Sequence, residues 1–200
     1  MMAPSSTASG LPDVETLLVE LARQMQGSIA YDARLIGIWS GGAWLAERLS
    51  TMLDGDHPFG TMDVSFYRDD YDRVGLKPKI RRTELPFDVE GARLVLVDDV
   101  LYTGRSVRAA LNELFDYGRP ASVELAVLID RGGRELPIEP TYSGARISVV
   151  ADHTVALNRD DQGRLSLELE ALRVHAGAID SGASGGGASG GGGGGGCVTR

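Results

Sequence analysis

The chain has 200 residues, 42% of them hydrophobic, enough for one folded domain with a sizeable core. Its net charge of −8 and pI near 4.9 exclude nucleic-acid binding through general basicity, so any such role needs a local cluster of cations. The single cysteine, Cys197, excludes both an internal disulfide framework and a zinc site built from cysteines.

The opening MMAPSSTASG has neither the basic start nor the apolar centre of a secretory signal. No apolar run approaches the roughly 20 residues of a membrane span. A cytoplasmic protein without membrane association is expected, organised as a disordered lead over 1–10, a folded domain over 11–175 and a disordered Gly-rich tail over 176–200.

In chain order, Val14, Leu17, Leu18, Leu21 and Met25 recur at helical spacing behind Asp13, a ready N-cap, with Glu15 at the positive helix start. RLIGIWSGGAWLAERL predicts a strand over 35–39, a tight turn at Ser40, Gly41 and Gly42, and a helix with Trp44, Leu45, Leu49 and Leu53 toward the core. TMDVSFYRDDYDRVGLKPKIRR opens as a strand alternating Val64 and Phe66, then becomes a long charged stretch broken by Pro78 and Pro86. That composition suits a lid. RLVLVDDVLYTGRSVRAAL predicts a strand over 94–97, buried on both faces, then a loop and a helix over 105–117 stopped by Gly118 and Pro120. SVELAVLIDRG and RISVVA read as further strands, and TVALN with LSLELEAL as a closing hairpin turning at 161–163. Alternating strands and helices imply an α/β fold: a parallel sheet flanked by helices, with ligands at the carboxyl ends of its strands.

Asp98 and Asp99 therefore fall where such a sheet opens its crevice, and the YTGRS that follows supplies hydroxyls, a glycine and helix-start amides. Acids beside an anion cradle suit a ligand whose sugar hydroxyls adjoin a phosphate. No GK[ST] follows, so this is not a Walker loop, and GxGxxG is absent too. The bland alternative for the same residues is a solvated turn and a helix entry. His57, His153 and His175 show no metal-ligand spacing and read as surface or capping residues. Arg131, Arg134 and Arg146 form either a small basic patch or a solvated face.

LVLVDDVLYTGRS resembles the phosphoribosyl pyrophosphate (PRPP) motif of type I phosphoribosyltransferases, and VLYTGRSVRAAL resembles the PyrR branch of pyrimidine operon regulators. The likeness extends to GIWSGGAWLAERL, DVSFYRDDY and YGRPASVELAVLIDRGGRELPI. It implies a lid loop and a small hood beside the sheet. It also implies uracil phosphoribosyltransferase activity, uracil and PRPP giving UMP and pyrophosphate with Mg2+, and in some members binding of pyr mRNA. Carried over, Asp98 and Asp99 contact the ribose and act in catalysis, and the PRPP segment continues through Val100, Leu101, Tyr102, Thr103, Gly104, Arg105 and Ser106. Ser40 and Gly41 form the pyrophosphate loop, Arg68 belongs to the lid, and Arg131 with the backbone near Val155 lies by the uracil. A homodimer or larger assembly is expected on the same ground. The family's pyrophosphate loop often carries Lys and Thr-Arg-Gly, where this chain has Trp39, Ser40, Gly41 and Gly42, so a nest of backbone amides must take the place of side-chain charge. Two alternatives to the uracil enzyme stay open: a nucleotide-sensing pyr RNA-binding regulator with little catalysis, and a phosphoribosyltransferase for another base.

Overall fold

The computed structural model describes residues 10–64, 82–150 and 152–171. Most of the expected lead, the whole tail, and Phe66 and Arg68 lie outside them. Helix α1 (Val14–Met25) forms as its pattern predicts: the Asp13 carboxylate accepts the Thr16 N–H at 2.9 Å, and Val14, Leu17, Leu18, Leu21 and Met25 are buried. Strand β1 (Arg34–Ile38) leads into α2 (Gly41–Met52), and β2 (Phe59–Met62) follows. Strand β3 (Arg93–Leu101), α3 (Arg105–Leu114), β4 (Ser122–Asp130) and β5 (Tyr142–Arg146) complete the main unit.

These strands form one parallel sheet in the order β2-β1-β3-β4-β5. Helices α1 and α2 cover one face, packing on Leu35, Val95, Val97, Ala126 and Leu128. Helix α3 covers the other through Val107, Ala109, Ala110 and Leu114, against Ile36, Leu94, Leu96 and Val127. Burial on both faces explains why β1, β3 and β4 read as nearly continuous apolar runs. Each fully buried Leu or Ile contributes roughly 1.5–3 kcal/mol.

A separate antiparallel hairpin, β6 (His153–Arg159) and β7 (Leu165–Ala171), packs Val155, Leu157 and Leu167 onto the α1/α2 side of the core. Its turn is closed by the Asp160 carboxylate, which accepts the Gln162 and Arg164 N–H groups, each at 2.9 Å, with Gly163 at a φ of +79°. This is the expected hood. No helix among the described residues is long and apolar enough to cross a membrane.

Three expectations are corrected. The strand expected in RISVVA sits earlier, at Tyr142–Arg146, because the edge of β4 pairs with Tyr142, Ser143, Ala145 and Arg146. Small residues are needed there: a side chain at Gly144 would come within 2.7 Å of the Leu128 carbonyl oxygen and 3.1 Å of that of Leu17 on α1. The Gln24 side-chain amide then caps this edge, donating to Ser143 O at 3.0 Å and accepting from Ser143 N at 3.3 Å. Helix α3 ends at Leu114 rather than near Tyr117, because Asp116 N and Tyr117 N bond three residues back and tighten the chain into a turn. His57, finally, is a core residue, 4% exposed, with its ring nitrogens 2.8 Å from Ala33 O and 3.1 Å from Asp54 O.

Candidate functional site

The strand order makes the chain leave β1 toward β2 and leave β3 toward β4, with α2 and α3 on opposite faces. The two connections diverge at the carboxyl ends of β1 and β3, which opens a crevice between them. The sequence placed the acids just past a strand ending at Val97. The strand in fact runs to Leu101, since β3 pairs with β4 as far as Leu101↔Asp130, while β1 accompanies it only to Gly37↔Val97. Asp98 and Asp99 thus belong to a strand still held on one side and open on the other.

The pleat separates the two carboxylates. Asp99 follows Val97 toward α2, whereas Asp98 follows Leu96 toward the α3 face and is 4% exposed. Their carboxylates accept the N–H of the next residue, Asp98 from Asp99 and Asp99 from Val100, both at 3.0 Å.

Three glycines seat the start of α2 on this strand end. A first side-chain carbon at Gly41 would lie 2.3 Å from Asp99 Oδ2, one at Gly42 2.1 Å from the Val97 carbonyl oxygen, and one at Gly37 2.4 Å from Ala43 Cα. The Ser40 side chain makes no capping hydrogen bond to α2, and the Trp39–Ser40 peptide is cis. The expected pyrophosphate loop and the acidic strand end are thereby one contiguous surface. The positive end of α2 supplies the charge that its side chains lack.

On the far side of the acids, Val100 and Leu101 turn their side chains into the core and offer only backbone. Gly104, at φ +91°, caps α3 in the left-handed conformation that favours glycine. Thr103 Oγ1 accepts the Arg105 N–H at 3.3 Å, and Ser106 lies half-buried in the first helical turn. The Arg105 guanidinium, 2.7 Å from Glu135, forms an exposed ion pair. Tyr102 exposes its ring, with the Arg131 guanidinium 3.9 Å from the ring centroid. Arg131 also donates to His153 O at 3.1 Å, which ties the Tyr102 side of the crevice to the hairpin. Val155 is buried with its side chain in the core, so its backbone is what it can present.

Of the three arginines read as a patch or a solvated face, Arg131 and Arg134 are neither, and Arg146 stays solvent-exposed. Arg134 and Arg146 reach the buried Asp130 carboxylate at 2.7 and 3.0 Å, and Arg131 is covered by Tyr102. Burial pushes the Asp130 carboxyl up, but the Gly132 N–H and the two guanidinium groups outweigh it and hold the pKa below the ordinary value. Asp130 and Glu135 escaped the sequence reading, and Arg134 entered it only as a member of a possible basic patch. The only local signal was an acid closing an apolar strand with an arginine four residues on.

The family described as phosphoribosyl transferase domain matches residues 10–157. A protein named bifunctional protein PyrR from Pseudomonas fluorescens is 49% identical over 166 residues, covering 81% of this chain and 98% of that protein. One of the same name from Ralstonia nicotianae is 52% identical over 149 residues, covering 74% and 85%. Among solved structures, a hypoxanthine-guanine phosphoribosyltransferase from Bacillus anthracis superposes with a TM-score of 0.56 over 73% of this chain and 86% of that one, at 16% identity. A hypoxanthine phosphoribosyltransferase from Trypanosoma cruzi, in a ternary substrates complex, gives a TM-score of 0.56 over 80% and 92%, at 21% identity. The structural likeness concerns the fold, and the sequence likeness spans sheet, crevice and hood together: the chain belongs to the phosphoribosyltransferase domain family and, within it, to the PyrR proteins.

Proposed function

We propose that the chain is a uracil phosphoribosyltransferase, converting uracil and PRPP to UMP and pyrophosphate. The observation that supports this reading is the packing of Gly41 against the Asp99 carboxylate, which brings the segment assigned to pyrophosphate and the acid assigned to ribose side by side. In the reaction the bond from the anomeric carbon to a pyrophosphate oxygen breaks, a bond to uracil N1 forms, and N1 loses its proton. The sugar passes through a state of oxocarbenium character, so fixed charges around it do the catalysis.

The resemblance assigns both Asp98 and Asp99 to the ribose; Asp99, beside Gly41, is the carboxylate placed to meet its hydroxyls and the cationic ring, and the 4% exposed Asp98 holds the Asp99 N–H from the other face, while the amides at the start of α2 receive the charge growing on pyrophosphate. The 102–106 loop holds the 5′-phosphate through backbone groups. Arg131 and the backbone near Val155 face the uracil, and Arg68 is assigned to the lid over pyrophosphate by the resemblance alone. Mg2+ fits this donor set, because this ion characteristically keeps waters and substrate oxygens beside one or two carboxylates, and the Asp99 carboxylate lies against Gly41 where pyrophosphate would sit. Asp99 would hold it, directly or through its waters, and it would supply neutralisation of the pyrophosphate charge.

The test is incubation of the full chain with labelled uracil, PRPP and Mg2+. UMP is expected, and its absence at high enzyme would refute the reading. Hypoxanthine, guanine and xanthine in competition distinguish a uracil site from one for another base. The second reading, a regulator that binds pyr mRNA, is favoured by the name bifunctional protein PyrR that the relatives carry. The internal pairing of Arg134 makes it a poor phosphate partner and leaves the exposed Arg146, itself paired with Asp130, as the cation of that group nearest solvent, so weak RNA binding is expected here. A gel shift showing no preference for a pyr leader over unrelated RNA, with or without UMP, removes that role. Assembly as a homodimer or larger is read from sedimentation of the same sample.

A further inference from the structure

The connection between β4 and β5 grips the phosphate loop from behind. Arg134 donates from Nε to Ile138 O at 2.8 Å, from Nη1 to Tyr102 O at 3.2 Å and to Leu101 and Gly132 O at 3.4 Å, and from Nη2 to Asp130 Oδ1 at 2.7 Å. Leu101 O also accepts the Arg131 N–H at 3.1 Å, and Thr103 O accepts the Glu135 and Leu136 N–H groups at 3.0 and 3.2 Å. Three successive carbonyls, of residues 101, 102 and 103, are therefore all turned toward this connection. In a trans peptide the C=O and the following N–H point in opposite directions. The N–H groups of Tyr102, Thr103 and Gly104 consequently face away from it, on the side where an anion can be received.

We infer that Asp130 and Arg134 are positioning residues that set the peptide orientations of the 102–106 loop, and so its affinity for a 5′-phosphate. Neither need touch the substrate. Asp130 is 2% exposed and aims the guanidinium from beneath, with the Gly132 N–H at 3.0 Å completing its shell. Arg134 is the planar, multi-donor group that can hold several carbonyls at once, and lysine cannot reproduce that fork. The packing of Ile138 and Leu136 under Gly104, with Ile138 Cδ1 3.3 Å from where a side chain would begin, closes the same support.

This inference rests on the 5′-phosphate assignment above, and calorimetric titration separates the two. The full chain is titrated with ribose 5-phosphate, UMP and magnesium pyrophosphate. The wild type is expected to bind all three. Arg134→Gln should weaken ribose 5-phosphate and UMP at least tenfold, leave pyrophosphate within twofold, and raise KM for PRPP more than KM for uracil. Arg134→Lys should recover only part of the loss. Arg146→Gln, which removes the exposed partner of Asp130 but no contact to the loop, should bind all three ligands within twofold of wild type. If Arg134→Gln does not fold, Asp130→Asn and Arg134→Lys carry the same expectation in weaker form. Ribose 5-phosphate affinity unchanged in these variants, or lost in step with pyrophosphate affinity, overturns the positioning role. A wild type that binds neither ribose 5-phosphate nor UMP overturns the site assignment itself.

Discussion

Alanine at Gly42 and alanine at Gly41 make the same chemical change one residue apart, and the structure gives them different consequences. At Gly42 the added carbon would lie 2.1 Å from the Val97 carbonyl oxygen and 3.1 Å from Asp98 Cα, both backbone atoms of the central strand. Relief requires α2 to move by about 1 Å, since non-bonded heavy atoms settle at roughly 3.5 Å. Such overpacking costs roughly 1–3 kcal/mol, and the better helix propensity of alanine returns up to about 1 kcal/mol. A net loss of roughly 1–2 kcal/mol lowers Tm by roughly 2–8 °C in a chain of this size. At Gly41 the obstacles belong to the side chain of Asp99, with Oδ2 at 2.3 Å, Cγ at 2.6 Å and Cβ at 2.7 Å; rotation moves the first two away but leaves Cβ, which the backbone holds, in place. Part of the strain is relieved, so Tm falls less than for Gly42→Ala, but the carboxylate leaves its place, and a charge-assisted contact worth about 1.5–3 kcal/mol is lost in the transition state. That corresponds to roughly a 10- to 100-fold drop in kcat/KM. Thermal melts and UMP formation are measured on both variants. Equal loss of Tm in the two, or full activity in Gly41→Ala, would refute the claim that Gly41 and Gly42 serve different atoms.

The remaining expectations concern stability and pH. Gln24→Ala leaves the Ser143 N–H and C=O without their partner at the β5 edge and should lower Tm by roughly 2–8 °C, for a cost of about 1–2 kcal/mol. Burial raises the Glu113 carboxyl above its ordinary value; the Thr83 hydroxyl opposes this, and the Asp63 and Asp116 charges add to it. A raised carboxyl carries its full stability only below the ordinary pKa and loses it as pH rises through the folded value. Glu113→Gln should therefore raise Tm at pH 7 by about 1–2 °C, screened as a half-exposed site is, and change nothing near pH 3. Asp130 has the opposite sign: its lowered pKa contributes stability above the ordinary carboxylate value that disappears as pH falls through the folded one. The Tm difference between wild type and Asp130→Asn should accordingly shrink as pH falls below about 4, in melts taken from pH 7 downward.

Much of the site was legible because its chemistry is written in consecutive residues. Asp98 to Ser106 quote a strand, two acids, a glycine and a helix start, and each falls close to where its local preference sends it. The capping of α1 by Asp13 and the hairpin turn at Gly163 were readable for the same reason. The positioning shell was not. Arg131, Arg134 and Arg146 look alike as letters, and only packing shows that one lies on the Tyr102 ring while the other two meet at Asp130.

What the sequence by itself determined is the set of elements and the motif, since periodicity, caps and turn residues act within a few positions of the chain. The tertiary structure alone decided how far β3 runs past Val97, because that depends on where β1 stops and β4 continues. It alone placed β5 at Tyr142–Arg146, through an edge that only β4 and α1 could offer. It also turned the WSGG of the turn before α2 from a sequence lacking cations into a helix start pressed against Asp99. Those outcomes hinge on pairing and close approach between segments far apart in the chain, which no local pattern of residues encodes.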